Sequence, residues 1–268
     1  MTAISARLVK ELRDATGAGM MDCKRALEET GGDVEAARTL LREKGMAQAG
    51  KRAGRATTEG LVGYLLEGGR ATLVAVGCET EPVSKNDEFL AFAEKVLRTV
   101  DASGPAATGS LEAERVELVA RISENVAVVG AERYEAGEGE VLAAYVHPPA
   151  NKIGVLVKVA GGTPELARQL AMHIAFAAPE WATRDDAPAD VVAAEREIYL
   201  NSDEVLSKPE AAREKIVDGM LAKRFFAAQP GGVLADQPWI HDPSLSVGKA
   251  FAEAGARVVA FRRLSVAG

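Results

Sequence analysis

The sequence predicts an α+β protein. An N-terminal three-helix bundle is followed by two related hairpin-plus-helix α/β subdomains, the second carrying an inserted antiparallel helical hairpin. Three observations lead there. Helical apolar periodicity runs through residues 1–45 and is punctuated by glycines. A pair of short β-prone runs followed by a strong helix occurs twice. Residues 187–229 then change to long, highly charged helical runs around a tight turn.

Ser5 is placed to cap a first helix with Leu8, Val9 and Leu12 on one face, ending near Thr16-Gly17. A second helix from Met20 to Thr30 gathers Cys23, Ala26 and Leu27 and stops at Gly31-Gly32. Asp33 caps a third, with Val34, Ala37, Leu40 and Leu41 inward and Gly45 as its C′ residue. A unit this small exposes much of its surface and suits docking. Residues 46–58 read as a linker. Its bases Lys51, Arg52 and Arg55 have no interleaved aromatics, which favours a solvated connection over a nucleic-acid arm.

Leu61–Leu66 and Ala71–Val76 form a hairpin about Gly68-Gly69, followed by a helix from Asp87 to Val100 with Phe89, Leu90, Ala93, Val96, Leu97 and Val100 at helical spacing. Ala102–Ser110 reads as a linker, Leu111–Val126 as a helix and Val128–Tyr134 as a strand. The pattern repeats with strands Val141–His147 and Ile153–Ala160 and a helix Pro164–Ala178. In the arm, Val191–Leu206 and Pro209–Phe226 pair as a helical hairpin with a thin apolar stripe. A helix Val247–Ala254 and a strand Arg257–Val266 close the pattern. The division is therefore 1–45, a linker 46–58, and core halves 59–138 and 139–268, the latter with arm 187–229 inserted.

Lys+Arg 32 against Asp+Glu 39 leaves a net charge of −7, which counts against general nucleic-acid binding. Cys23 and Cys78 form no disulfide framework or zinc spacing, no apolar run approaches the length of a membrane span, and Met1–Val9 carries no signal-type apolar region. A soluble cytoplasmic protein is expected.

Gly17-Ala18-Gly19-Met20-Met21-Asp22-Cys23-Lys24 imitates a phosphate loop. Asp22 stands where a dinucleotide fingerprint needs its third glycine, no Gly-Lys-Ser/Thr is present, and a helix rather than a strand precedes it. His147, His173 and His241 are dispersed, His173 reads as a packed residue, and no nucleophile–base pair or metal set is found. No enzyme activity, cofactor, metal or direct nucleotide binding is expected; binding is. The stretch Cys78–Phe89 lies between a strand and a helix, where Pro82 breaks both periodicities and Ser84 or Asn86 can cap the helix starting at Asp87.

Several runs together resemble the elongation factor Ts family, guanine nucleotide exchange factors for elongation factor Tu. They are Leu8–Arg13 with Thr16–Lys24, the loop Cys78–Phe89, Ile153–Val157, Met172–Ala175, Lys215–Gly219, and Asp242-Pro243-Ser244 before Val247-Gly248. The resemblance implies a UBA-like (ubiquitin-associated) first module and a projecting coiled-coil arm. It implies that the chain binds elongation factor Tu-GDP and promotes GDP release in translation elongation. It further implies that Arg13, Met20, Met21 and Lys24 make one contact with the GTPase, Thr80, Glu81, Pro82 and Val83 a second, and His147 a far one. One departure stands out: Glu81-Pro82 replaces the family's Asp-Phe, whose aromatic ring acts as a wedge near the Mg²⁺ and phosphate site. The alternative is therefore a GTPase-binding scaffold without exchange activity.

Overall fold

The computed structural model describes residues 4–267. Ser5 caps α1 (Ala6–Thr16) by accepting from the Leu8 amide, and Gly17 ends that helix at φ 67. α2 (Met20–Glu29) comes next, and Asp33 caps α3 (Val34–Arg52) by accepting from the Ala36 amide. Val9, Leu12, Cys23, Ala26, Leu27 and Ala37 close the small core between them.

The expected stop at Gly45 is not there. α3 runs on to Arg52, so the expected linker 46–58 is helical over its first half. The reason is a helix crossing: a Cβ on Gly45 would lie 2.6 Å from Cβ of Ala120. Glycine serves close approach here rather than a left-handed cap.

β1 (Glu59–Glu67) and β2 (Arg70–Cys78) form the predicted hairpin, with Glu67 opposite Arg70 and Gly68 and Gly69 at φ 58 and 77, the signature of a type I′ turn. A single turn, α4 (Glu81–Ser84), precedes α5 (Asp87–Ser103). α5 buries Phe89, Phe92, Ala93, Val96, Leu97 and Val100, whereas Leu90 is exposed, one step off the buried stripe. The expected linker Ala102–Ser110 is mostly a 3₁₀ turn (Pro105–Leu111) seated by buried Leu111. The next helix, α6 (Glu112–Ile122), is correspondingly shorter than expected and is closed by Ser123 at φ 62. β3 (Val126–Glu135) completes a three-stranded antiparallel sheet ordered β1-β2-β3.

β4 (Glu140–Val146) and β5 (Ile153–Ala160) precede α7 (Pro164–Ala177). α11 (Val247–Glu253) leads to β8 (Arg257–Ser265), giving a second sheet ordered β4-β5-β8. The two sheets share an order, and each has a register shift in its middle strand, at Ala75/Val76 and at Lys158/Val159. One face of each packs on its own helices. The other faces meet in a layer of Val62, Ala71, Leu73, Ala75, Leu156, Leu264 and Val266. Fully burying such a leucine is worth about 1.5–3 kcal/mol, so the stack is held firmly.

Between α7 and α11, the two long helices expected are interrupted: α8 (Ala189–Leu200), α9 (Asp203–Leu206) and α10 (Glu210–Met220) continued by a π-helical turn, Leu221–Phe226. Side chains compete for the backbone at the break, Asn201 Nδ2 donating to the Glu197 carbonyl and Ser202 Oγ to that of Tyr199. Arg196 bridges α8 to Glu214 and Asp218 of α10. The apolar set is fuller than a thin stripe: Val205, Val217, Met220, Leu221 and Phe226 are buried against Ala187 and Val233. A small ladder of β6 (Pro238–Trp239) and β7 (Asp242–Ser246) lies between this region and α11. Among the described residues, no helix is long and apolar enough to cross a membrane.

Candidate partner-binding surface

The first group of candidate contact residues flanks the α1–α2 turn. The Gly17 amide donates to the Arg13 carbonyl at 2.7 Å, and Thr16 Oγ1 accepts from the Ala18 amide at 3.3 Å. Cys23 is fully buried and contacts the Ala18 carbonyl through Sγ at 3.7 Å, which fixes the rotation of α2. With Cys23 inward, Met21 and Lys24 fall on the outer face of α2, while Met20, although three residues from Cys23, stays exposed as the first residue of the helix. The two methionines are 44% and 61% exposed, so flexible, polarisable side chains stand free where water gains nothing from them. Lys24 pairs loosely with Glu28 at 3.7 Å, and Arg13 is exposed beside them. Gly17–Gly19 joins two helices and Met20–Lys24 opens the second, so the stretch lacks the strand-to-helix context of a phosphate loop.

The second group is the loop after β2. Thr80, Glu81 and Pro82 are exposed, while Val83 packs against the core under α5. Pro82 does not break structure here. It sits in the first turn of α4, where its missing N–H has no helical acceptor to forgo. Asn86, rather than Ser84, caps α5, its Oδ1 accepting from the amides of Glu88 and Phe89 at 2.8 and 3.3 Å.

The loop is held from below by Glu124 and Asn125, which nothing in the sequence marks out. Glu124 accepts from the Thr80 amide at 3.0 Å and from Thr80 Oγ1 at 2.6 Å. Glu79 accepts from the Asn125 amide at 2.7 Å, and Asn125 Nδ2 donates to the Arg55 carbonyl at 2.8 Å. These partners stand 44 to 70 residues apart in the chain, so no local spacing announces them. Lys85 lies 2.7 Å from Glu81; its hydrogen bond and charge hold the Glu81 carboxyl below its usual pKa, so the loop presents an anion there. Cys78 is buried, and desolvation pushes its thiol up to about 12, which makes it no nucleophile at neutral pH.

His147 is exposed in the β4–β5 connection, its Nδ1 3.0 Å from Tyr145 Oη. Its amide donates to the Ile153 carbonyl, and the Val62 amide donates to the Asn151 carbonyl at 2.7 Å, tying this connection to β1. His173 is packed, as expected. Its Nδ1 faces the Ile240 amide at 3.4 Å, which leaves Nε2–H to donate to Gln237 Oε1 at 3.0 Å. Gln237 Nε2 in turn faces the carbonyls of Ala177, Ala228 and Gly231.

The predicted residues thus fall into three separate groups: Arg13, Met20, Met21 and Lys24 on α1 and α2; Thr80 through Val83 after β2; and His147 between β4 and β5. A cleft of about 1120 Å³ opens beside the contact of the helical module with α6 and is lined by Arg13, Met20 and Arg121. These features define a mixed α+β protein whose candidate contact residues stand on the first two helices and on two connections of a two-sheet frame.

The family described as "Elongation factor TS" matches residues 79–268. Curated relatives carrying the name elongation factor Ts extend the likeness over nearly all of the chain. That of Idiomarina loihiensis is 42% identical, covering 98% of this chain and 91% of the relative. Those of Psychromonas ingrahamii and Shewanella amazonensis are 43% and 44% identical, each covering 98% of this chain and 90% and 91% of their own. The chain belongs to the elongation factor Ts family.

Proposed function

We propose that this chain is a guanine nucleotide exchange factor that binds elongation factor Tu-GDP and promotes GDP release during translation elongation in the cytoplasm. The reading has the UBA-like helical module and the loop Thr80–Val83 docking on the GTPase, with His147 on the opposite core half as a further contact. The core halves 59–138 and 139–268 are the frame, and the helical hairpin within 187–229 is an accessory, coiled-coil-like arm. The protein makes and breaks no bond. It grips the emptied GTPase more tightly than the loaded one, and by linkage nucleotide loosens that grip by the same factor.

The observation that carries the reading is the braced loop. Glu124 fixes Thr80 while Glu81 and Pro82 stand in solvent, a rigid exposed tip on a firm base. A flexible loop would lose entropy on insertion; this one has little left to lose. With proline in place of the family's aromatic, displacement of the GTPase falls to the loop backbone and the Glu81 carboxylate.

Pro82 also favours a second reading, a scaffold that binds the GTPase without exchange. Mixing the purified chain with elongation factor Tu carrying fluorescent GDP separates the two. Faster release than the intrinsic rate is expected. Binding with release left at that rate would establish the scaffold, and Pro82→Phe would then be expected to create activity.

A further inference from the structure

The C-terminal end of α6 and the turn that follows it touch both the helical module and the Thr80 loop. Three positions within five residues do this. Ala120 meets Gly45 of α3 so closely that a Cβ on the glycine would lie 2.6 Å away. Glu124 binds Thr80. Arg121 lies between them and reaches in both directions. Its aliphatic stem covers Gly17, where an added Cβ would lie 2.7 Å from Cδ and 3.3 Å from Cγ. Its guanidinium Nε lies 2.5 Å from Oε2 of Glu88, at the start of α5 just beyond the Asn86 cap. Gly17 is the last residue before the turn that displays Met20 and Met21. One side chain therefore bridges the turn that precedes one contact group and the helix that comes after the other. The Arg121 side chain is 34% exposed and that of Glu88 50%.

We propose that Arg121 is the positioning residue that fixes the helical module on the core, so that the Met20–Met21 group and the Thr80–Pro82 tip meet a partner in one orientation. This rests on the exchange reading for the identity of the partner, but not for the geometry. An arginine suits the role: its stem fills the glycine groove while the planar head keeps a defined donor for Glu88. Without it the module still hangs from α3 but samples orientations, of which only a fraction f is competent. The apparent dissociation constant rises as 1/f, while the bound complex is unchanged.

The test uses the full chain carrying Ala36→Cys and Ala102→Cys, both exposed positions, for spin labelling; the native Cys23 and Cys78 are buried. The distance distribution between labels is measured with Arg121 intact, as Arg121→Ala, and as the reversed pair Arg121→Glu with Glu88→Arg. The same chains are titrated into elongation factor Tu carrying fluorescent GDP. Arg121→Ala is expected to broaden the distribution and raise the half-saturating concentration about three- to tenfold, the size of one lost partly exposed ion pair with its packed stem, while keeping the maximal release rate. The reversed pair is expected to recover part of both. A lowered melting temperature with an unchanged distance distribution overturns the proposal, because the residue then only stabilises. A broadened distribution with unchanged half-saturation overturns its link to the partner. An intact chain that leaves GDP release at its intrinsic rate overturns the exchange reading, while the distance distribution still decides whether Arg121 holds the module.

Discussion

Replacing Glu124 with alanine isolates the contribution of the brace beneath the loop. The substitution removes the acceptor at 3.0 Å from the Thr80 amide and the one at 2.6 Å from Thr80 Oγ1. A hydrogen bond to a charged group is worth roughly 1.5–3 kcal/mol, but Thr80 is exposed and water replaces much of what is lost. A net loss of about 1–2 kcal/mol in the local opening free energy remains, equivalent to roughly 5- to 30-fold faster amide exchange at Thr80. The damage should stay local, because Glu79 still receives the Asn125 amide and Val83 still packs under α5. Site-resolved hydrogen exchange by NMR reads the Thr80 amide directly, with the buried β2 amides as the internal reference. Glu124→Gln, which keeps an acceptor without the charge, should fall between the two. A Thr80 amide that exchanges within twofold of the unmodified chain would refute the view that Glu124 stiffens the loop.

Two further outcomes are expected from the packing. Gly154→Ala places a Cβ 2.4 Å from Val62 Cγ1 and 3.1 Å from Leu73 Cδ1 between the sheets, so a loss of about 1–3 kcal/mol is expected in thermal or urea unfolding; unchanged stability would mean the sheets are not closely stacked there. Burial lowers the pKa of His173 from its ordinary 6.5, while its hydrogen bond to Gln237 opposes the shift and nearby His241 adds to it. The unfolded chain therefore binds the extra proton first. This contribution to stability is full above about pH 6.5 and falls as pH drops below that value, which urea midpoints at about pH 7.5 and 5.5 should reveal. His173→Gln should flatten that part of the slope.

Much of the fold is legible where chemistry is local. Ser5, Asp33 and Asn86 each accept the amide that a cap should, and Gly68-Gly69 sets the register of the first hairpin. Gly45 shows the limit: a glycine after an apolar helical run reads as a stop unless Ala120, which crosses it 75 positions later, is known to be there. The interruption after Leu200 is hidden because Asn201 and Ser202 are compatible with either a helix or its end, and their hydrogen bonds decide. At the candidate site, the exposed groups are visible as motifs, but their supports are not. Glu124, Asn125 and Arg121 are ordinary polar residues in the sequence and become significant only when folding brings the end of α6 and the turn after it beneath the loop.

The stacked sheets have a mechanical implication. The Thr80 tip leaves β2, and the His147 turn is stitched to β1 of the same sheet through the Val62 amide. Both connections therefore leave strands that share one buried layer of aliphatic side chains. On the exchange reading, these two grips form a caliper of fixed span. Whatever closes on it must supply the bending, so the work of loosening a nucleotide is done by the partner's own deformation against an unyielding gauge.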